Sequence, residues 1–172
     1  ASAVTSITDS AATLKTMYAS KTISGLGNEA VTITGTPSAK DVNAILKATS
    51  GIVTASVTDT AADLVKDLTD AKATDKLTLT VNGATATAAE LKALDAKTSV
   101  AVDAKSVTTI SGNAADVKTV LAATGIDTAT NVKADVSGTI SAADANTISK
   151  ATTGEVKATV TADTAAALKS AL

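Results

Sequence analysis

The 172-residue sequence predicts an α/β protein: an open, right-handed strand-helix solenoid of about seven repeat units, with one parallel β-ladder beside a stacked layer of short helices. Three observations predict it. A passage is written twice, a helix-start motif recurs through the chain, and a short alternating segment stands ahead of most of those starts. The duplicated passage is TGTPSAKDVNAILKATSG, Thr34 to Gly51, which returns as SGTISAADANTISKATTG, Ser137 to Gly154, identical at 11 of 18 positions without a gap. Self-similarity of this kind is the signature of repeat architectures.

The helix starts come first. Ser10, Ser38, Thr60, Thr87, Asn113, Ser141 and Thr164 are each followed at once by alanine, and five of the seven carry an acid three places on: Asp41, Asp63, Glu90, Asp116 and Asp144. A cap oxygen accepts from the amide three residues later, and a first-turn carboxylate sits against the positive end of the helix dipole. Four places after the caps stand Leu14, Val42, Leu64, Leu91, Val117, Ala145 and Leu168. Seven or eight places after them stand Met17, Ile45, Leu68, Leu94, Val120, Ile148 and Leu172. This is a one-sided apolar stripe at helical spacing. Position plus five is Lys15, Lys92, Lys118 or Lys169 in four units and marks the wet face; Asn43 and Asn146 take it in two others and read as exposed polar residues. Gly51, Gly125 and Gly154 follow three of the helices and suit a left-handed exit.

The strands come from period-two alternation. VTIT (31 to 34), VTASV (53 to 57), LTLTV (77 to 81), VAVDA (100 to 104), VKADV (132 to 136) and VKATV (156 to 160) place Val, Leu, Ile or Ala on one side and Thr, Ser, Lys or Asp on the other. Half-buried strands alternate in this way. The caps at 10, 38 and 60 recur at 113, 141 and 164, at offsets of 103, 103 and 104 residues, so four units form a larger period of about 103. Residues 1 to 172 are therefore expected to form a single repeat domain, either a piece of a longer array or a rod whose open ends meet other copies. A closed barrel of eight strand-helix units needs about 250 residues, which this chain does not reach.

Composition narrows the class of function. The apolar share is 45% but the aromatic share 1%, with Tyr18 the only ring, so the interior must be built from Ala, Val, Leu and Ile in many similar contacts. The chain has no His, Cys, Arg or Gln. A Ser or Thr nucleophile lacks its usual base, nitrogen- or sulfur-ligated metal sites are excluded, and no phosphate-binding glycine motif occurs. No catalytic residue, cofactor or metal site is expected, and the chain is not read as an enzyme. A net charge of −2 with scattered lysines argues against nucleic acid, and no run approaches the ~18 apolar residues that span a bilayer.

One surface remains a candidate. Thr32, Thr34, Thr54, Ser56, Thr78, Thr80, Thr159 and Thr161 fall on the outward side of the expected strands and would form a hydroxyl ladder able to contact a polysaccharide or another flat surface. Ice is the least favoured target, because Asp103, Lys133 and Asp135 interrupt the row. The phrases DVNAILKATSGIVTASVTDTAADL (Asp41 to Leu64) and TAAELKALDAKTSVAVDAKSVTTISGNAADV (Thr87 to Val117) resemble the Ala- and Thr-rich tandem repeats of very large surface or secreted proteins of marine cyanobacteria. The resemblance implies an extracellular or cell-surface structural or adhesive role and transfers no catalytic residue. The expected function is to build or extend a filament, surface layer or adhesin stalk. Its expected partners are other copies of the chain, head-to-tail or lateral, with polysaccharide second.

Overall fold

The structure, a computed structural model, describes residues 4–171. Among these the chain runs β1 (Ser6–Ser10), α1 (Ala11–Ala19), β2 (Ala30–Thr34), α2 (Ala39–Leu46), β3 (Val53–Asp59), α3 (Ala61–Asp67), β4 (Lys76–Val81), β5 (Thr85–Thr87), α4 (Ala88–Asp95), β6 (Val102–Ala104), β7 (Thr109–Asn113), α5 (Ala114–Ala122), β8 (Ile126–Thr128), β9 (Lys133–Ile140), α6 (Ala142–Ala151), β10 (Val156–Val160) and α7 (Ala165–Ala171). The fold is α/β, with strands paired in parallel and seven helices among the described residues. Each helix packs on its sequence neighbour.

The helix starts form as their local chemistry dictates. Ser10, Ser38, Thr60, Thr87, Asn113 and Ser141 each accept at the side chain from the amide three residues on, and Ala167 donates to Thr164 Oγ1. Only Thr87 and Glu90 make the reciprocal box, because a glutamate is long enough to reach the cap's own amide. The shorter aspartates instead accept from the cap side chain, as Asp41 does from Ser38 Oγ at 2.8 Å. Of the apolar stripe, Leu14, Val42, Leu64, Leu91, Val117, Ile45, Leu68, Leu94, Val120 and Ile148 are buried, Met17, Ala145 and Leu168 half-buried, and Leu172 lies outside the described residues.

The single ladder expected from the alternating segments is two sheets. One has the order β1-β2-β3-β4-β6-β8 and the other β10-β9-β7-β5. The split begins at the fourth unit. β3 and β4 stay in register through Asp59 and Val81, but Thr60 caps a helix at once, whereas Asn82, Gly83 and Ala84 turn the chain into β5 before Thr87 does so. The second sheet repeats the first. Ser6 faces Ala30 and Val31 faces Val53 in one; Thr109 faces Lys133 and Ala134 faces Val156 in the other, each 103 residues after its counterpart. The 103-residue period thus carries β1, β2 and β3 of the first sheet onto β7, β9 and β10 of the second.

Gly51, Gly125 and Gly154 do not make left-handed exits; none has positive φ. They are glycines because the chain passes against an earlier unit. A Cβ on Gly51 would lie 2.2 Å from the Glu29 carbonyl oxygen, and one on Gly154 2.3 Å from that of Val132. Beside them, three buried threonines staple successive units. Thr49 Oγ1 donates to the Glu29 carbonyl at 2.8 Å and accepts from Gly51 N. Thr98 Oγ1 donates to Leu77 O at 2.7 Å, and Thr152 Oγ1 to Val132 O at 2.6 Å. Their hydroxyls satisfy backbone groups that burial would otherwise leave without partners.

The plus-five positions are more than a wet face. Lys15 pairs with Asp41, Lys92 with Asp116 and Lys118 with Asp144, each the capping acid of the following helix. Asn43, expected to be a plain exposed residue, is a half-buried clip. Its Nδ2 donates to Thr69 Oγ1 at 3.0 Å and Asp70 Oδ2 at 2.9 Å, and its Oδ1 accepts from Asp70 N.

The lysine beside each capping acid, with the cap side chain second, holds the carboxyls of Asp41, Asp116 and Asp144 below their ordinary range. A carboxyl depressed in the folded state favours folding above its unfolded pKa and loses that contribution as pH falls through it. The urea midpoint should therefore hold between pH 7 and 5 and fall below about pH 4. In a triple Asp41→Asn, Asp116→Asn, Asp144→Asn variant that fall should be shallower. An equal fall in the variant would show that these pairs do not carry it.

Candidate functional site

The outward strand face is the candidate surface, and the first sheet organises it in rows. Thr8, Thr32, Thr54 and Lys76 stand opposite one another across β1 to β4. Ser56 faces Thr78 in a second row, and Thr58, Thr80, Asp103 and Asp127 follow one another in a third. Parallel strands lie about 4.8 Å apart and alternate residues about 6.6 Å along a strand, so these hydroxyls form a near-regular grid. Thr32, Thr34, Ser56, Thr58 and Thr78 are exposed, while Thr54 and Thr80 are half-buried.

The eight residues expected to form one ladder do not all meet. Thr32, Thr34, Thr54, Ser56, Thr78 and Thr80 share the first sheet. Thr159 lies on β10 of the second sheet opposite Thr139, and Thr161 follows that strand with its hydroxyl donating to Ile140 O at 3.1 Å. The sheet split separates them. Two members were missed: Thr8 on β1 and Thr58 on β3. Alternation alone could have found Thr58, which continues the run Thr54, Ser56 by two.

Charge bounds the grid. Lys76 ends the first row; Asp103 and Asp127 end the third, where Lys105 pairs with Asp127 at 2.6 Å. The outward face of the second sheet is different in kind. Lys133 pairs with Glu155 at 3.3 Å and Lys157 with Asp135 at 3.8 Å across β9, β10 and the turn between α6 and β10. Opposite charges facing across strands stabilise a sheet modestly. The grid's chemistry is that of neutral hydroxyls, each one donor and two acceptors, with no titratable group inside it to serve as base.

The most perturbed titratable pair lies elsewhere. Tyr18 donates its phenol to the buried Glu29 carboxylate, which also accepts from Gly27 N at 2.7 Å and Asn28 N at 3.2 Å. Burial, then the Glu29 hydrogen bond and charge, push the Tyr18 phenol well above its ordinary value. For Glu29, burial alone would raise the carboxyl, but the hydrogen bonds from Tyr18 and the backbone outweigh it and hold the group ionised. Its acceptors are occupied and it is closed to solvent, so the pair anchors the loop before β2 rather than handling substrate. Among the described residues no group of three or more carboxylates gathers as a metal site would require, and no helix is long and apolar enough to cross a membrane.

No protein-family model matches the chain, no curated protein matches it in sequence, and no solved structure matches it in fold.

Proposed function

We propose that the chain is a structural repeat protein: an open, right-handed solenoid that builds or extends an extracellular filament, surface layer or adhesin stalk by self-association. The observation that carries this is the sameness of the joints between units. One unit's plus-five lysine reaches the next unit's capping acid at three joints, and a threonine and a glycine close against the previous unit's carbonyls at others. Stability of this kind is a sum of neighbour terms, which is what an extendable array needs. Its interior of small aliphatic side chains and its lack of imidazole, thiol and guanidinium groups fit construction rather than catalysis. The likeness to Ala- and Thr-rich repeats of exported proteins supplies the setting. The purified chain should elongate or pack laterally as concentration rises, seen by sedimentation and negative-stain microscopy. A species that stays monomeric at millimolar concentration would count against this function.

A second function is favoured by one observation, the in-register hydroxyl row Thr8, Thr32, Thr54 with Ser56 and Thr78 beyond it. Such a grid suits a polysaccharide, whose hydroxyls pair with donors and acceptors on a flat face. A glycan-array signal that disappears in a Thr32→Lys, Thr78→Lys double variant would support it. A signal unchanged in that variant would place binding elsewhere.

A further inference from the structure

We infer that Asn82 and Gly83, in the turn that joins β4 to β5, form a site of self-modification. The Gly83 amide nitrogen attacks the Asn82 side-chain amide, and water opens the resulting ring to an isoaspartyl or aspartyl residue. The first observation is a glycine that the fold does not require. Of the nine glycines, five have positive φ, and three, Gly51, Gly125 and Gly154, stand where a Cβ would come within 2.3 Å of an atom of an earlier unit. Gly83 alone has neither reason. Its φ is not positive, and beyond its chain neighbours the nearest atom to its would-be Cβ is the Thr85 carbonyl oxygen at 3.5 Å, an ordinary contact. What glycine supplies there is the lack of a side chain on the attacking residue, which leaves its nitrogen open to approach and its backbone free to turn.

The second observation is that both reacting groups are free. Asn82 is exposed, and among the described residues its side-chain amide has no hydrogen-bond partner and the Gly83 amide no acceptor. The other five asparagines lack this combination. Asn43 is tied through its side chain to Thr69 and Asp70, and Asn113 to Asp116. The amides that follow Asn43 and Asn146 lie inside α2 and α6, and Val132 N, after Asn131, donates to Ala129 O at 3.2 Å. Asn28 is followed by the buried Glu29. Each of the five precedes a residue that carries a Cβ.

The step needs only water. The Gly83 nitrogen gives up its proton as it bonds to Asn82 Cγ, the bond from Cγ to Nδ2 breaks, and ammonia leaves with that proton. Water then cleaves the ring at either carbonyl. Cleavage at Cγ gives the aspartyl form; cleavage at the backbone carbonyl leaves the chain running through Cγ, the isoaspartyl form, one carbon longer. The place gives that carbon its effect. Asn82, Gly83 and Ala84 are all that lies between β4 in the first sheet and β5 in the second. Both ends of the turn are held, since Asn82 N donates to Asp59 O at 3.1 Å and Ala84 O accepts from Thr108 N at 2.9 Å. The added length must therefore be taken up at the junction of the two sheets.

The test ages the whole chain in warm, mildly alkaline buffer and follows its tryptic peptides by mass spectrometry, with an isoaspartyl methyltransferase assay alongside. The peptide 77–92 should exchange an amide for an acid before any other peptide does, with the isoaspartyl form in excess. A Gly83→Ala variant has room for its Cβ and should melt as wild type does, yet convert at least about tenfold more slowly. The isolated isoaspartyl form should have a lower urea midpoint than an Asn82→Asp variant, which adds the charge without the carbon. Earlier conversion at another asparagine, or equal conversion in Gly83→Ala, would overturn the assignment. Conversion confined to urea-unfolded chain would overturn it too, because the folded turn would then shield the bond. Equal midpoints for the isoaspartyl form and Asn82→Asp would overturn the effect on the junction.

Discussion

Replacing Gly51 by alanine should destabilise the fold by about 3 kcal/mol or more, the range that overpacking against an unyielding neighbour reaches. The added Cβ would lie 2.2 Å from the Glu29 carbonyl oxygen, 2.5 Å from its carbon and 2.9 Å from the Asn28 oxygen. Nothing there can step aside. Glu29 is pinned through its carboxylate by Tyr18, Gly27 and Asn28, and through its carbonyl by Thr49. Gly154→Ala should behave alike, since its Cβ would meet the Val132 and Asn131 carbonyls at 2.3 and 2.4 Å. Gly35→Ala is the control. No atom beyond its own residue and chain neighbours lies within 4 Å of its would-be Cβ, and its φ of +81° costs an alanine only about 1 to 2 kcal/mol. Urea midpoints of the three variants decide the matter: if Gly51→Ala costs no more than Gly35→Ala, close approach is not why glycine stands at position 51.

Thr98→Val should cost about 2 to 4 kcal/mol, although it keeps the shape of the side chain. The Thr98 hydroxyl accepts from Leu77 N at 3.0 Å and Val100 N at 3.1 Å while donating to Leu77 O at 2.7 Å. Valine leaves the buried amide and carbonyl of Leu77 and the half-buried amide of Val100 without that partner, and an orphaned buried group costs about 1 to 3 kcal/mol. Thr98→Ser keeps the hydroxyl and should lose about 1 kcal/mol or less, the contribution of one methyl group. Equal losses for the two variants would mean that the hydroxyl does not staple these units.

The helix starts were legible because each is decided within four residues. A cap, an alanine and an acid satisfy amides that belong to the same turn, and Ser38 with Asp41 needs no distant partner to do so. Strands β2, β3, β4, β9 and β10 were legible for a related reason: each has at least two inward positions, as Val31 and Ile33 do in β2, so alternation shows. β5, β7 and β8 were not. β5 buries Ala86 alone, β7 Ile110 alone and β8 Ile126 alone, and a single apolar residue has no period. The hydroxyl grid was legible strand by strand, but its membership was not. Which threonines stand side by side depends on the sheet each strand joins, and Thr159 joined the other one.

By itself the sequence determined the unit, its seven helix starts and the 103-residue period, because local capping and alternation write themselves into neighbouring residues. Tertiary structure alone decided that strands one period apart, β1 and β7, β2 and β9, β3 and β10, join different sheets. It also decided that Gly51 and Gly154 yield space to an older carbonyl, that Thr49, Thr98 and Thr152 turn inward, and that each plus-five lysine is matched to the next unit's acid where one is present. Those outcomes depend on residues 20 to 30 positions apart meeting at a set register, and register is fixed only when the strands pair.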